Sequence, residues 1–515
     1  MNRLFKTLRL FISISSATLN RGIWGLLFFV FALNAGAKIN RPKLVVGVVV
    51  DQMRWDYFYY YYDKATANGG LRRLVDQGFS CENCMINYVP SVTAAGHASV
   101  YTGSVPALHG IVGNNFIVDG QWTSSVKDTQ VKSVGSSTTT GQASPHLLQA
   151  TTLGDQIRLA TDFRGRVYGV ALKDRASILP AGHAANAAYW FDSKVGHFIT
   201  SDYYMKELPR WVKGFNERNA WKPGEDPKMS PDGVTLTFRM AQAIVDNERI
   251  GTDDDTDLLA ISISSTDAIG HEYGTRGEEN WAVYQRLDKE LGQFIDYLDR
   301  QIGRDNYLLF LTADHGAAHN PNYMKQNHIP SAGWDGKALF KAIDKALVEK
   351  FGVANLIAGE NVNFAFLDYE KLDSAKLDAK AVKDEVVRVA RQCPDLMFVC
   401  DREDAASANI PQAVRERIIN GSHPKRQGDI VYIPRPQMFS WTIADDYRGT
   451  THGQWNPYDT HLPLFFFGWH QQQGQTNTPV IIGDIVATVC AMLHIQAPSA
   501  CIGQPIMPVL EARGK

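Results

Sequence analysis

The chain has 515 residues, of which 44% are hydrophobic and 21% are charged, and its formal net charge is −2. This balance is ordinary for a globular protein, and the length fits one large α/β domain with insertions or two to three domains. The charge excludes the strongly basic chains typical of nucleic-acid binding, so we expect no nucleic-acid partner.

Residues 1–37 have the order of a secretory signal peptide. Basic residues precede an apolar run, Ile23 to Leu33, and the small-residue site Ala35-Gly36-Ala37 follows at once. The alternative is an uncleaved membrane anchor, but the run is short for a bilayer span. We therefore expect cleavage after Ala37, a periplasmic or secreted location, and no stable membrane span in the mature chain.

The six cysteines fall into three couples that are close in sequence: Cys81/Cys84, Cys393/Cys400 and Cys490/Cys501. An even count in near-neighbour couples indicates three short-loop disulfides in an oxidising compartment, although the connectivity stays open. The first couple also has CxxC spacing, but no thioredoxin-like strand and helix surround it. No spacing of Cys and His is typical of a zinc ribbon.

Four apolar runs predict buried strands, and because they are apolar on both faces they are typical of the middle of a parallel sheet. The runs are Leu44 to Val50, Leu258 to Ser264, Tyr307 to Thr312 and Leu462 to Phe467. Helical patterns lie between them, at Gly70 to Gln77, Val234 to Asn247 and Glu278 to Arg300. This alternation predicts an α/β fold with a doubly wound, mostly parallel sheet.

Residues 330–447 predict an α+β cap, inserted between two parts of the core, 38–329 and 448–515. Helices alternate there with strands, at Lys337 to Lys350, Val362 to Leu367, Asp378 to Arg391, Leu396 to Cys400, Pro411 to Ile419 and Asp429 to Pro434. The segment Asn115 to Gly141 is rich in Ser, Thr and Gly and predicts a surface loop. The aromatic run Tyr57 to Tyr62 favours packing in a first helix.

Acidic residues follow three of the predicted strands, at the sheet edge where α/β proteins bind ligands. They are Asp51, Asp267 and Asp314. His271 lies four residues after Asp267, on the same face of a turn or helix, and His315 follows Asp314 directly. Each residue alone has an ordinary structural explanation, but the joint pattern predicts a metal centre.

Mixed nitrogen and oxygen ligation of this kind suits zinc, with two ions as in phosphoryl-transfer sites. The predicted ligands are Asp51, Thr93, Asp267, His271, Asp314, His315 and His452. His461 is the alternative to His452. We expect five further histidines to have structural roles: His97, His109, His183, His319 and His328.

The turn Tyr88 to His97 contains the candidate nucleophile, Thr93, with Ser91 as the nearby alternative. Small residues follow that open a predicted helix, Ala94 to Tyr101. A helix N-terminus offers free N–H groups and partial positive charge, which suit a developing alkoxide or a phosphoryl group. Taken alone, the turn favours N-capping, because Ser and Thr cap helices far more often than they catalyse reactions.

Seven short motifs are spread over most of the chain outside the predicted cap: Asp51-Gln52-Met53-Arg54, Ser91-Val92-Thr93-Ala94-Ala95-Gly96-His97, His109-Gly110-Ile111-Val112-Gly113-Asn114, Leu172-Lys173-Asp174-Arg175, Ser265-Thr266-Asp267 with His271, Asp314-His315-Gly316 and Thr451-His452-Gly453. In order and spacing they resemble the monomeric periplasmic alkaline phosphatases, of the type I phosphodiesterase/nucleotide pyrophosphatase branch of the alkaline phosphatase superfamily. That resemblance implies a monomer with one zinc ion held by Asp267, His271 and His452. It implies a second zinc ion held by Asp51, Asp314 and His315, with Thr93 bridging towards it.

The resemblance also separates monoesterases from diesterases. Monoesterases of this branch have a basic pair at the positions of Lys173 and Arg175, and use it with Asn114 to hold the non-bridging phosphate oxygens. A monoester dianion carries more charge on these oxygens than a diester, and Arg can donate to two of them. The resemblance thus implies a zinc-dependent phosphatase that hydrolyses small phosphomonoesters through a phosphothreonine intermediate. Without it, Lys173-Asp174-Arg175 favours a solvated surface triplet.

The nearest alternative function is a nucleotide pyrophosphatase/phosphodiesterase on the same fold. A phosphoglycerate mutase is disfavoured because it would be cytoplasmic and would prefer Ser and manganese, and a sulfatase motif is absent around Cys81 and Cys84. An alternative of another class is a non-catalytic secreted protein that binds metal or interacts with the envelope. The natural substrate stays open.

Overall fold

The apolar runs form the middle of a ten-stranded sheet in a computed structural model that describes residues 39–513. Leu44–Val50 lies near the centre with every residue buried, and it pairs in parallel with a neighbour on each side. In spatial order the strands are Gly474–Thr476, Phe79–Cys81, Leu464–Gly468, Tyr307–Thr312, Leu44–Val50, Asp257–Ile263, Val167–Val170, Ala187–Asp192, His197–Ser201 and Ser133–Val134.

The five strands from Tyr307–Thr312 to Ala187–Asp192 are all parallel, which confirms the α/β class and a mostly parallel sheet. The fourth predicted run is different. Leu464–Gly468 pairs antiparallel with Tyr307–Thr312, because the chain re-enters the sheet from the opposite end after residues 330–447. An apolar run predicts burial and not direction.

Pro463 interrupts the same run, since a proline has no N–H to donate to a sheet. The residues before it, His461–Leu462, belong instead to a small sheet with Cys84–Met85 and Val480–Ile481. The predicted strand therefore divides into two short strands in two different sheets.

Two groups of helices pack beside the sheet. One contains Gly70–Gln77, Asp232–Glu248, Ser265–Tyr273 and Glu278–Gln301, and the other contains Thr93–Thr102, Pro106–His109, Leu153–Ala160, Asp174–Ala181 and Asp484–Leu493. The remaining helices of the core are Tyr57–Tyr61, Arg210–Arg218, Pro321–Gln326, Pro457–Thr460 and Met507–Glu511, with 3-10 turns at Tyr62–Lys64, Thr139–Gly141, Pro227–Met229 and Arg304–Asn306. The three predicted core helices are confirmed, with ends that differ by no more than a few residues.

The aromatic run forms the helix Tyr57–Tyr61, as predicted. Tyr57, Phe58 and Tyr61 are buried, whereas Tyr59 and Tyr60 are exposed. Tyr57 packs edge-on against Tyr284, with ring centroids 4.8 Å apart. The run therefore docks the first helix onto Glu278–Gln301.

The predicted surface loop at Asn115 to Gly141 is wrong in part. It contains a hairpin, Asn115–Val118 with Gln121–Ser124, and the edge strand Ser133–Val134 of the large sheet. The hairpin turn is Asp119-Gly120, with φ of 49° and 74°, which is the signature of a tight hairpin turn. Composition suggested a loop, but the Asp-Gly pair determines the local structure.

Residues 330–447 carry a second sheet, which is antiparallel and has four strands in the order Ile357–Asn361, Phe364–Leu367, Ile430–Pro434 and Leu396–Asp401. The helices there are Gly336–Phe351, Tyr369–Ala375, Ala379–Ala390 and Gln412–Gly421, and a short ribbon joins Ala332–Gly333 to Met438–Phe439. All six predicted elements are present. Four were missed, namely Ala332–Gly333, Ile357–Asn361, Tyr369–Ala375 and Met438–Phe439, and the predicted domain boundaries stay predictions.

Successive residues of this second sheet alternate between two hydrophobic clusters. Phe364 and Phe366 pack with the cluster that includes Ala94 and Ala98 of the core, whereas Ala365 and Leu367 pack with the helices of the insertion. This two-residue period is that of a strand with apolar neighbours on both faces. The insertion therefore shares a hydrophobic cluster with the helix that starts at Thr93.

The six cysteines are free thiols in this structure, so none of the predicted disulfides is present. The predicted signal peptide, residues 1–37, lies outside the described residues. Among residues 39–513, no helix combines the length and the apolar character that a membrane crossing requires.

Candidate active site

The three acidic strand ends converge. Asp51 follows Leu44–Val50 directly, Asp314 lies two residues beyond Tyr307–Thr312, and Asp267 lies in the first turn of the helix that follows Asp257–Ile263. The strand pairing aligns the ends, with Val50 opposite Ile263 and Val49 opposite Thr312. Because the three strands are parallel neighbours, their carboxyl ends meet at one edge of the sheet.

Asp51, Asp314 and His315 form the first group of possible metal ligands. One ligand atom from each lies within 4.8 Å of the others, and all three side chains are fully buried. His315 Nε2 is 3.5 Å from both Asp51 Oδ1 and Asp314 Oδ2. Thr93 Oγ1 lies 3.4 Å from the same Nε2. The candidate nucleophile therefore borders this group, which we call the buried group.

Asp267, His271 and His452 form the second group, again within 4.8 Å of one another. Asp267 Oδ1 is 3.1 Å from His271 Nε2 and 3.7 Å from His452 Nε2. The side chain of His271 is 40% exposed, so we call this the open group. The rings of His452 and His315 stack with centroids 3.5 Å apart, which places the two groups side by side.

His461, the alternative to His452, lies elsewhere. Its ring stacks on Trp55 at 4.5 Å, and its Nε2 is 2.7 Å from the carbonyl oxygen of Glu82. It belongs to neither group. His109 and His319 also have structural partners, Ser99 and Thr275 respectively.

The three histidines of the groups share one hydrogen-bond pattern. In each, Nδ1 faces a backbone carbonyl oxygen at 2.8–3.0 Å, that of Thr450 for His271, of Gly316 for His315 and of Ser91 for His452. Nδ1–H donates in each case, so Nε2 is the ring nitrogen that faces the group. Burial also keeps the pKa of His315 and His452 below its ordinary value, so both rings are neutral.

Two carboxylate oxygens of the buried group lack a hydrogen-bond partner. Asp51 Oδ1 and Asp314 Oδ2 are buried and accept no hydrogen bond among the described residues. Burial, and then repulsion from Asp267 and Asp314, raises the pKa of Asp51 well above its usual range. Buried orphan carboxylate oxygens beside neutral imidazoles are the donor set that zinc takes, so the residues present fit a two-zinc site.

Lys173 links the two groups. Its Nζ donates to Asp51 Oδ2 and to Asp267 Oδ2, both at 2.6 Å. Burial lowers the pKa of this ammonium, but the two carboxylates outweigh burial and raise it. The expectation of a solvated triplet at 173–175, drawn without the resemblance, is therefore wrong for Lys173. One of its three N–H donors is left for another acceptor.

Thr93 is the first residue of the helix Thr93–Thr102, which starts one residue before the predicted position and is buried throughout. The amide of Ala94 donates to Asn114 Oδ1 at 2.9 Å, which ties Asn114 to the first turn of this helix. Ser91 is engaged differently, since its hydroxyl donates to the carbonyl oxygen of Gln454 at 2.8 Å. Of the two hydroxyls, that of Thr93 borders the candidate ligands.

Arg175 lies in the first turn of Asp174–Ala181, a helix that packs against Thr93–Thr102. Its guanidinium is 3.6 Å from the carboxylate of Asp174, and its buried Nε has no hydrogen-bond partner among the described residues. The assignment of Asn114, Lys173 and Arg175 to a substrate phosphate stays a prediction.

Two contributors to the site were not singled out from the sequence. Gln52 donates from its backbone to Asp314 Oδ1 and from Nε2 to Asp267 Oδ1, at 3.1 and 2.7 Å. His97 Nδ1 lies 2.9 Å from the Thr93 carbonyl oxygen and 3.2 Å from Asp314 Oδ2. The four-residue spacing from Thr93 was the signal for His97, since it places both residues on one helix face.

A family model described as Type I phosphodiesterase / nucleotide pyrophosphatase matches residues 45–459. The chain belongs to this family. The alkaline phosphatase PafA of Elizabethkingia meningoseptica is 41% identical over 92% of this chain and 95% of its own length. A Myroides odoratus protein named calcium-transporting ATPase is 42% identical over 94% of this chain and 97% of its own. The crystal structure of PafA superposes with a TM-score of 0.87 at 39% identity, covering 92% of this chain and 99% of that one.

These comparisons confirm the phosphodiesterase/pyrophosphatase-branch resemblance that the seven motifs carried. They also confirm the predicted fold class and the predicted enzyme class, an alkaline phosphatase.

Proposed function

We propose that this phosphodiesterase/pyrophosphatase-family member is a secreted, zinc-dependent phosphatase that hydrolyses small phosphomonoesters by way of Thr93. The observation that carries the proposal is the placement of Thr93 Oγ1 against the buried group, with the open group alongside. A single oxygen at the edge of two adjoining ligand sets is what a two-metal displacement at phosphorus requires.

One zinc ion is assigned to Asp51, Asp314 and His315 with Thr93, and the other to Asp267, His271 and His452. When bound, the two ions lower the pKa of the Thr93 hydroxyl and stabilise negative charge on the departing oxygen. The protein prepares for them by holding three Nε2 lone pairs towards the groups through three backbone carbonyls.

The Thr93 oxygen forms a bond to phosphorus as the bond from phosphorus to the leaving oxygen breaks. The hydroxyl proton passes to solvent, and the leaving oxygen takes a proton from solvent. The product of this step is a phosphothreonine and a free alcohol. A water oxygen then bonds to phosphorus from the opposite side while the bond to Thr93 Oγ1 breaks, which releases inorganic phosphate and restores the threonine. His97 holds the backbone of the nucleophile through the Thr93 carbonyl oxygen throughout.

Asn114, Lys173 and Arg175 are assigned to the non-bridging oxygens. Lys173 remains charged between Asp51 and Asp267 and has one proton to give, and Arg175 has no full ion pair of its own. A monoester dianion offers these donors more charge than a diester does, so their number supports a monoesterase. The rival on the same fold is a nucleotide pyrophosphatase/phosphodiesterase.

The location follows from residues 1–37, which we propose are removed on export to the periplasm or beyond, where disulfides could form between the cysteine couples. The substrates are small soluble phosphomonoesters, and we expect a monomer without a nucleic-acid partner.

The decisive experiment combines metal analysis with kinetics on purified protein that begins at Lys38. We expect two zinc ions per chain, loss of activity with a chelator, recovery with zinc, and a kcat/KM for nitrophenyl phosphate far above that for its methyl diester. A preference for the diester would identify the rival function. Metal-independent activity, or no phosphatase activity in the zinc-loaded protein, would refute the proposal.

A further inference from the structure

A cavity of about 120 Å³ lies beside the open group, between the loop that carries His452 and residues 330–447. His452 and Thr451 form its inner wall, and Val362, Trp334, Phe439 and Trp441 contribute apolar and aromatic surface. Val362 and Trp441 are among the large apolar side chains that the fold leaves exposed, at 37% and 38%. Exposed apolar surface that clusters around a polar centre is typical of a binding site.

The wall is held in place by contacts within the protein. Trp441 packs against Phe439 and Tyr447, with ring centroids 5.3 and 6.1 Å apart. The backbone of Trp334 donates to the carbonyl oxygen of Phe439 at 2.8 Å, which ties the two sides of the ribbon together. These contacts do not depend on a ligand, so the cavity is preformed.

The turn that carries Val362 rests directly on the active-site loop. A Cβ on Gly453, the residue after His452, would lie 2.5 Å from Val362 Cγ1. Asn363 Nδ2 also donates to Gln454 Oε1 at 2.9 Å. The insertion is therefore in direct contact with the loop that carries His452.

The side of the site on which this cavity lies is set by the reaction. In an in-line displacement the departing oxygen leaves opposite the attacking one. Thr93 Oγ1 contacts the buried group through His315, so the departing oxygen lies on the side of the open group. His452 belongs to the open group and also lines the cavity, which places the cavity next to the side on which the alcohol would leave.

The size of the cavity limits what it can hold. Its volume of about 120 Å³ is well below the roughly 300 Å³ at which pockets for drug-sized ligands begin, and somewhat below the roughly 150 Å³ of an apolar cavity that takes a benzene molecule. The cavity can therefore hold one ring inserted part of the way, and nothing larger. Aromatic rings also gain about 0.5–1.5 kcal/mol from packing against other rings, beyond burial alone. The hydroxyl of Ser440 and the amide nitrogen of Gln454 at the same cavity offer partners to a polar ring substituent.

We propose that this cavity is the leaving-group subsite and that it selects monoesters of single-ring alcohols and phenols over small alkyl monoesters. The proposal rests on the phosphatase function argued above. It assigns Val362 and Trp441, both from the insertion, as residues that determine specificity.

The test compares kcat/KM for phenyl phosphate and ethyl phosphate in the zinc-loaded mature protein. We expect Trp441→Ala to lower the phenyl-to-ethyl ratio by about tenfold, the upper range of an aromatic packing contribution. Val362→Ala should lower it by about threefold, as expected for the loss of part of an apolar contact with the ring. Val348→Ala is the matched control, because Val348 is similarly exposed, at 40%, and lies on the helix Gly336–Phe351 away from the cavity.

Inhibition by inorganic phosphate reports whether each variant retains an intact phosphate site, and its inhibition constant should not change. If Trp441→Ala lowers both esters equally, or leaves the ratio as it was, the subsite assignment is wrong. Binding of phenylphosphonate and methylphosphonate separates this outcome from a failure of the proposed function. A protein that hydrolyses neither ester but prefers phenylphosphonate in a Trp441-dependent way retains the subsite without the activity, and equal binding of both phosphonates overturns the subsite.

Discussion

The two groups of candidate zinc ligands are built from different parts of the chain and differ in exposure. Two strand ends of the central sheet supply all of the buried group, and none of its three side chains reaches solvent. The open group takes Asp267 and His271 from one helix and His452 from a loop that follows the insertion, and His271 is 40% exposed. Thr93, the candidate nucleophile, borders the buried group, and the cavity borders the open group.

This difference matches the two halves of a displacement at phosphorus. An attacking oxygen benefits from a dry, fixed environment, because charge interactions are stronger where water is excluded. A leaving alcohol has to depart, so its side of the site needs access to solvent. Lys173 bonds one carboxylate of each group and thereby fixes the distance between the two halves.

The largest effect is expected for Thr93→Ala, which removes the oxygen at the buried group. We expect kcat/KM to fall by on the order of 10⁴-fold or more, as for other enzymes that lose their nucleophile, while zinc content stays near normal. Ser91→Ala is the matched control, since the Ser91 hydroxyl bonds a backbone carbonyl. Full activity in Thr93→Ala would show that the nucleophile is misassigned.

His271→Ala tests the open group without disturbing the buried one. Because several kcal/mol of charge stabilisation is lost with one ion, we expect activity to fall about 10²–10³-fold. Metal analysis should find one zinc ion in place of two, and the melting temperature of the metal-free protein should change little because the side chain is partly exposed. Loss of both ions would mean that the two groups do not bind independently.

Arg175→Ala tests the hydrogen-bond donors proposed for the non-bridging phosphate oxygens. The loss of a charge-assisted hydrogen bond of about 1.5–3 kcal/mol predicts a 10- to 150-fold decrease in monoester hydrolysis, with a smaller decrease for the methyl diester. Lys173→Ala is a less specific probe, because it also removes the partner of Asp51 and Asp267 and should lower zinc affinity. Arg218→Ala, on the exposed end of another helix, serves as control. Equal losses on both esters for Arg175→Ala would contradict the proposed role.

Gly96→Ala tests how tightly the helix Thr93–Thr102 packs on the buried group. A Cβ at this position would lie 2.3 Å from the Asp314 carbonyl oxygen and 2.6 Å from its Cβ. We expect the free energy of unfolding to fall by about 1–3 kcal/mol, as for overpacked cores, and zinc affinity to fall at the buried group. Gly214→Ala, in the middle of Arg210–Arg218, meets only a mobile arginine tip and should stabilise the protein by up to about 1 kcal/mol. Unchanged stability in Gly96→Ala would show that the two backbones can separate without loss.

The local pattern of apolar residues predicted the structure correctly where that structure depends on a single segment. Leu44–Val50 and Gly70–Gln77 have the predicted bounds, because continuous burial and helical period are properties of the segment itself. The direction of Leu464–Gly468 was not predictable in this way, since it depends on where the chain re-enters the sheet. The hairpin at 115–124 was predictable from Asp119-Gly120 and was missed because composition was given more weight than the turn.

What the sequence alone determined is the set of chemical groups and the edge at which they gather. Asp51, Asp267 and Asp314 each follow a buried run, and parallel pairing of those runs brings their ends together. Tertiary structure decided the rest: His452 over His461, Lys173 between two carboxylates, and a cavity closed by Val362 and Trp441. These features depend on contacts between segments far apart in the chain. Such contacts do not produce a periodic pattern of apolar residues in either segment, so the sequence of one segment does not predict them.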